Sequence, residues 1–284
     1  MTSGEGSAPG LDAPRRAAEG RPADGATAST RLLVVPLPEL PDVQPGDDLG
    51  RLAAEAWWRL TVAEPDLAPQ VGDVLVVTQK VVSKAEGRLV RLADVEPRPE
   101  AVAFAEAWAK DARHVEVVLR ESDAVLRMER GLIISRTRHG FICANAGVDA
   151  SNVGAEDVVT LLPEDPDASA AHIRQRVEEE LGVAVGVIVS DSFGRPWRWG
   201  ITDVALGVAG FLPLDDLRGT PDTGGRTMQA TVVAVADELA SAAELASGKT
   251  SRRPLTLIRG ARLPAGDGTV RGDVVMPTEA DLFP

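Results

Sequence analysis

The chain has 284 residues and a formal net charge of −13, a balance that excludes broad nucleic-acid binding and docking on an anionic membrane. Hydrophobic residues make up 44%, but aromatics only 4%, and Tyr is absent. A sizeable core is therefore expected, built mainly of Val, Leu and Ala. The one cysteine, Cys143, excludes an intrachain disulfide and any multi-cysteine metal site, and it suits a reducing cytoplasm.

Residues 1–30 are rich in Gly, Ala, Ser, Pro and charge and lack an apolar centre. They read as a disordered tail rather than a secretory signal, and no apolar run is long enough for a membrane span. Order is expected from Arg31, and residues 31–284 read as one unit. Leu32–Val35 is a short strand. It runs into Pro36-Leu37-Pro38-Glu39-Leu40-Pro41, whose three prolines fix φ and force an extended loop. Leu49–Val62 has helical spacing through Leu52, Ala56 and Leu60, and Trp57 and Trp58 are expected to pack in the core.

Gly72-Asp73 turns into a strand at Val74–Lys80. Val81–Arg88 alternates poorly and reads as the strand's end, with Lys80 and Lys84 offered as point charges for phosphates or as a solvated terminus. Pro99–Asp111 reads as a helix, Val115–Leu119 as an apolar run and Leu132–Ile134 as a strand. Phe141 to Gly154 is a run of small residues around Asp149. Such residues let backbone approach a ligand closely. His139 has no second or third nitrogen or sulfur partner in sequence, so zinc is not expected. Cys143 sits in an apolar strand as a buried thiol.

Asp165 caps a helix running to about Leu181, with Glu178–Glu180 on its solvated face. Val187–Val189 is a buried strand that breaks into Ser190-Asp191-Ser192, with Gly194 and Pro196 stopping regular structure. A carboxylate and two hydroxyls at such an end suit a hard cation such as Mg²⁺ or Mn²⁺. Arg195, Trp197 and Arg198 follow, and arginine's planar fork fits phosphate or carboxylate. Asp149 could share the cation with Asp191, and neither has a lysine beside it in sequence. Ile201–Leu212 is small and apolar, Pro213–Gly225 a long loop, Thr231–Leu245 an Ala-rich helix and Leu255–Gly260 a last strand. Gly248-Lys249-Thr250 is not a P-loop: the upstream glycine is missing and the segment closes a helix instead of opening one. Strands and helices interleave without regular βαβ spacing, so an irregular α+β fold with mixed sheets is expected.

Four stretches in order carry a resemblance: Gly72–Val74 with Lys80–Arg88, His139–Val153, Ser190–Arg198, and Val235–Ala240. Together they resemble the gamma-glutamyl ligases of coenzyme F-420 biosynthesis. The resemblance implies an irregular α+β fold, a homodimer, and GTP-driven amide formation between L-glutamate and a carboxylate of the deazaflavin coenzyme precursor. It implies divalent cations, two of Mg²⁺ or Mn²⁺, and admits K⁺. Asp149 and Asp191 would hold one cation and Ser192 would touch the second. Leu37, Pro38, Glu39, Leu40, Gln79, Lys84 and Asn152 would line the nucleotide, completed by Ser247, Gly248 and Lys249. Lys84 and Arg195 would assist phosphoryl transfer. Ser247 stands where the family commonly has Met. The same motifs would serve an amide ligase with another natural-product acceptor, or a nucleotide-binding regulator without turnover.

Overall fold

The computed structural model describes residues 31–150 and 157–281. The tail expected at 1–30 lies outside them, as does Asn152. In chain order the elements are β1 (Leu33–Pro36), α1 (Leu49–Ala63), β2 (Val74–Thr78), α2 (Gln79–Ala85), β3 (Leu89–Arg91), α3 (Pro99–Trp108), α4 (Ala112–Glu121), β4 (Ser122–Glu129) and β5 (Leu132–Thr137). There follow β6 (Ile142–Ala144), β7 (Val158–Thr160), α5 (Pro166–Leu181), β8 (Gly186–Arg195), β9 (Arg198–Ala209), β10 (Asp215–Asp216), β11 (Val232–Val233), α6 (Val235–Ser247) and β12 (Leu255–Arg259). A single π-turn spans Val270–Val274.

The main sheet has the order β1-β12-β2-β8-β9. Its central neighbours β2 and β8 run parallel and its other pairs antiparallel. Val74–Val77 and Gly186–Ser190 are buried throughout, the pattern of strands covered on both faces. Leu75, Val77, Val187, Val189 and Leu257 pack against Ala53, Ala56 and Trp57 of α1 and Ile173 and Val177 of α5. Val74, Val76, Ile188 and Ile258 pack on the opposite side with Leu239, Ala240 and Ala243 of α6. A second core forms from α3, α4, β5 and β7, with Ala101, Val115, Val118, Ile133 and Val159 inside it. The β4-β5-β6 sheet and the β3-β7 pair complete the irregular α+β architecture. Among the described residues no helix is long and apolar enough to cross a membrane.

Local chemistry sets these elements. The Asp48 side chain accepts from the Arg51 N–H at 3.0 Å and caps α1; Asp165 does the same for α5 through Ala168 at 3.0 Å, with Pro166 in the first turn. Gly207 lets β9 approach α5, because a Cβ there would lie 2.1 Å from the Pro166 carbonyl oxygen. Arg259 at the end of β12 grips Asp73 just before β2, with Nε at 2.8 Å from Oδ1 and Nη2 at 2.7 Å from Oδ2. Asp73 is only 1% exposed.

Several expectations from the sequence need correcting. Val81–Ala85 is not a strand end. It lies in α2, because Val82 is buried and Val81 and Ala85, four apart, pack on the same core. The apolar run Val115–Leu119 lies in α4, with Val115, Val118 and Leu119 buried. Gly194 does not end the strand at Ser190-Asp191-Ser192, since β8 continues to Arg195 paired with β9 and turns at Pro196-Trp197. The segment from Pro213 is not plain loop: Asp215–Asp216 pairs with Val232–Val233, so α6 starts at Val235 rather than Thr231. Trp57 is fully buried and donates to the Leu67 carbonyl at 3.0 Å, but Trp58 is 61% exposed. Adjacent residues on a helix point about 100° apart, so one stripe cannot bury both.

Candidate functional site

The parallel strands β2 and β8 end side by side, with Thr78 opposite Ser190. In open sheets ligands bind beyond the carboxyl ends of such strands. Gln79 and Lys80 follow Thr78, and Asp191 follows Ser190. Asp149 is brought alongside by a two-way backbone bridge to Thr160, at 3.0 and 2.8 Å. Its carboxylate meets Lys80 Nζ at 2.7 Å. The lysine that neither aspartate has in sequence is thus supplied to Asp149 by the fold.

Asp191 is only partly exposed, and its carboxyl is pushed up to about 7. Burial is the main cause, and the charges of Asp203 and Asp149 add to it against the opposing Ser192 N–H and Lys80. Asp149 and Asp203 therefore both act on Asp191. Cys143 lies near enough to feel Asp191, and burial holds its thiol up at about 12, an inert group as expected.

Ser192 stands across the ladder from Asp203. Its hydroxyl donates to Asp203 Oδ1 at 2.5 Å. Lys249 arrives from the end of α6 and places its ammonium on the same Oδ1 at 3.0 Å, with Glu244 at 3.6 Å. It also donates to the Ser192 hydroxyl. Asp203 escaped the reading of the sequence, although it is the one charged residue in the apolar run Ile201–Leu212.

The other candidates fall in separate places. Lys84 Nζ meets Asp42 at 3.2 Å beside the proline loop. In that loop Leu37 is buried and its N–H donates to the Leu255 carbonyl at 2.8 Å, and the Glu39 carbonyl accepts from Arg59 at 2.8 Å. Pro38 and Leu40 are part-exposed between them. Gln79 is 1% exposed, and its amide donates to Ser83 and to the Leu161 carbonyl at 3.0 Å, so its side chain faces the interior. Ser247 closes α6 and Gly248 follows it at φ 66°. Arg195 is not brought to the carboxylates. It lies at the exposed end of β8 and donates to the Trp199 carbonyl at 3.3 Å, about 13 Å along an extended strand from Asp191. His139 donates from Nε2 to the Pro163 carbonyl at 2.9 Å.

Among the described residues no three His, Cys, Asp or Glu side chains stand close enough to hold a metal by themselves. The donors present still fit a hard cation. Asp149 and Asp191 repel each other, and Mg²⁺ is commonly held by one or two carboxylates, with substrate phosphates and water completing the shell.

Carboxylates faced by lysines thus gather near the carboxyl ends of a parallel strand pair in an α+β fold. The chain matches the family model described as "F420-0:Gamma-glutamyl ligase" over residues 38–260. It belongs to this family of ligases. It is 43% identical over 249 residues to a protein of Methanothermobacter thermautotrophicus named coenzyme F420:L-glutamate ligase, covering 86% of this chain and 95% of that one. Proteins with the same name from Methanopyrus kandleri (46% over 230 residues; 81% and 87% covered) and Methanocaldococcus jannaschii (42% over 213; 75% and 84%) are similarly related.

Proposed function

We propose that this chain, through residues 31–284, joins L-glutamate to the carboxylate of the coenzyme F420 precursor at the expense of GTP. The observation that carries this reading is the meeting of Asp149, Asp191 and Lys80 beyond β2 and β8. A carboxylate is a poor electrophile. Transfer of the γ-phosphoryl group of GTP to it breaks the β–γ bridge, releases GDP and leaves an acyl phosphate. The glutamate amine then attacks the acyl carbon, phosphate leaves, and the amine's proton passes to solvent. Such transfer needs positioning and charge neutralisation more than covalent help. A divalent cation, Mg²⁺ or Mn²⁺, held by Asp149 and Asp191 would supply much of that neutralisation. Lys80 holds Asp149 in place. Lys84, next to the Leu37–Leu40 loop, reaches the phosphates, and Asn152 and the Ser247–Lys249 turn complete the nucleotide site. Ser192, the ligand expected for a second cation, already carries the Lys249 ammonium, and we assign Lys249 the positive charge at that position.

Two expected results check these assignments. Lys84→Ala should raise the KM for GTP and lower kcat, with a combined loss of about 1.5–3 kcal/mol, the range for a hydrogen bond to a charged group. Lys84→Arg should restore only part, because the fork differs in shape from an ammonium. Steady-state kinetics with varied GTP that show no change in either constant would remove Lys84 from the site. Lys249→Met should lower kcat by ~10²-fold, on the scale of one preorganised electrostatic contact. An unaltered kcat would show that the Lys249 charge is idle.

A homodimer in the cytoplasm completes the proposal. Trp197, Trp199 and Ile201, exposed by 84%, 101% and 59% on the β8–β9 hairpin, support association, and light scattering reads it directly. The activity itself is tested by phosphate release. It should require GTP, Mn²⁺, glutamate and precursor together. GTP binding without turnover would instead favour a regulator, and turnover with a different acceptor would move the substrate assignment.

A further inference from the structure

A cleft of about 630 Å³ lies between the β5–β6 turn and the π-turn at Val270–Val274, within the size range of ligand pockets. Arg136, Arg138 and Arg271 line it, with one carboxylate, Asp123. Asp123 is committed to Arg136 at 2.9 Å. Arg138 reaches Glu121 and Glu164 only at 3.5 Å, and Arg271 has no ion pair among the described residues. A positive concavity on a chain of net charge −13 selects anions locally. The wall is also fixed: the Asp167 carboxylate accepts the N–H groups of Val270 at 2.8 Å and Arg271 at 3.1 Å.

The same wall holds two buried polar atoms without partners, Thr137 Oγ1 and His139 Nδ1. Their residues are 2% and 7% exposed. Buried polar groups are ordinarily paired, and an unpaired one calls for an explanation. His139 Nε2 faces the Pro163 and Glu164 carbonyls at 2.9 and 3.2 Å, so it carries the proton and Nδ1 presents a lone pair. Both atoms are sealed from solvent behind the wall, so the surface of the cleft itself presents cations for carboxylates. A row of packed rings runs from the cleft toward β8. His139 lies 5.7 Å from Phe141, which meets Phe193 at 6.1 Å, two residues beyond Asp191.

The ligase reading, on which this inference rests, makes a product with matching chemistry. Each glutamate added uses one acceptor carboxylate and brings two, so every step adds one negative charge and one amide N–H. We infer that this cleft binds the γ-glutamyl tail of the acceptor. Arg138 and Arg271 take its carboxylates as bidentate partners, while Arg136, held by Asp123 and Thr278, adds positive charge to the wall.

The test uses the full chain and γ-linked triglutamate as the titrant, with inorganic phosphate as comparator. Calorimetry should show triglutamate binding more tightly than phosphate, weakening as salt rises. Arg271→Glu should weaken it by about 10-fold or more and Arg271→Lys by less. In the reaction, Arg271→Glu should leave the first addition to a tail-free precursor intact and slow the extension of a tailed one. Phosphate binding as tight as triglutamate, no triglutamate binding at all, or an Arg271→Glu protein matching the unaltered one in binding and tail length would each overturn the assignment. If the protein makes glutamyl product but the Arg271 variants change nothing, the cleft assignment falls and the ligase reading stands. If it makes no product yet loses triglutamate with Arg271→Glu, the ligase reading falls and the tail-binding cleft stands.

Discussion

Asp191→Asn is expected to lower kcat by at least ~10²-fold, because it removes a charge from the proposed cation site while keeping the side chain's shape. The same substitution should change stability in a way that a merely structural residue would not. In the cation-free protein the Asp191 carboxyl rises from 3.8 to about 7, chiefly through burial, with Asp203 and Asp149 adding to it. Between those values the folded protein keeps a proton that the unfolded chain has lost. The unfolded state therefore binds fewer protons, and stability falls as pH rises through this window. Asn has no proton to lose, so melting temperature against pH should flatten there. Mn²⁺ should stabilise the unaltered protein more at pH 8 than at pH 5, since it binds the ionised form. Near-normal turnover of Asp191→Asn with unchanged Mn²⁺ dependence would remove Asp191 from the cation site.

The second large effect concerns the frame that holds the site. Asp73→Ala should destabilise the protein by about 3–5 kcal/mol, the usual result of stripping one partner from a buried ion pair. That corresponds to a fall in melting temperature of roughly 10 °C for a chain of this size. Asp73 also accepts from the Gln70 N–H at 2.9 Å, so the turn into β2 loses its anchor. Arg259 also donates to the Asp66 and Ala68 carbonyls at 2.7 and 2.6 Å, so Arg259→Ala should be costly as well. The double variant should lose less than the sum, because the two residues share one interaction. Additive losses, or a change below about 1 kcal/mol in urea unfolding, would show that the pair does not hold β2 to β12.

Much of the fold was legible because its strands are short apolar runs and its helices keep their spacing. Val74–Val77 and Val187–Val189 read directly as buried strands, and the Asp165 cap and the Leu52, Ala56 and Leu60 stripe marked α5 and α1. Val81-Val82 misled, since β-branched residues favour strands locally, whereas tertiary burial of Val82 with its neighbours imposed a helix. Gly194 misled in the opposite way, because β9 supplies a full pairing partner and holds the strand open past it. At the site, Asp149 and Asp191 were visible as carboxylates near apolar strands. Their sharing of a cation was also expected; the Thr160 bridge and the parallel register of β2 with β8 that bring them together were not legible. Asp203 was hidden for a related reason: its pairing with Lys249, a residue expected at the nucleotide, forms only when β9 folds back beside Ser192 and α6 delivers its C-terminal turn to the same place.

The most direct test of the central claim is mass spectrometry of the product made by purified protein from GTP, Mn²⁺, L-glutamate and the coenzyme F420 precursor. A product heavier than the precursor by one or more glutamyl residues is expected, formed together with GDP and phosphate and absent when GTP is omitted. Precursor recovered unchanged from the complete mixture, with the protein folded and GTP bound, would contradict it.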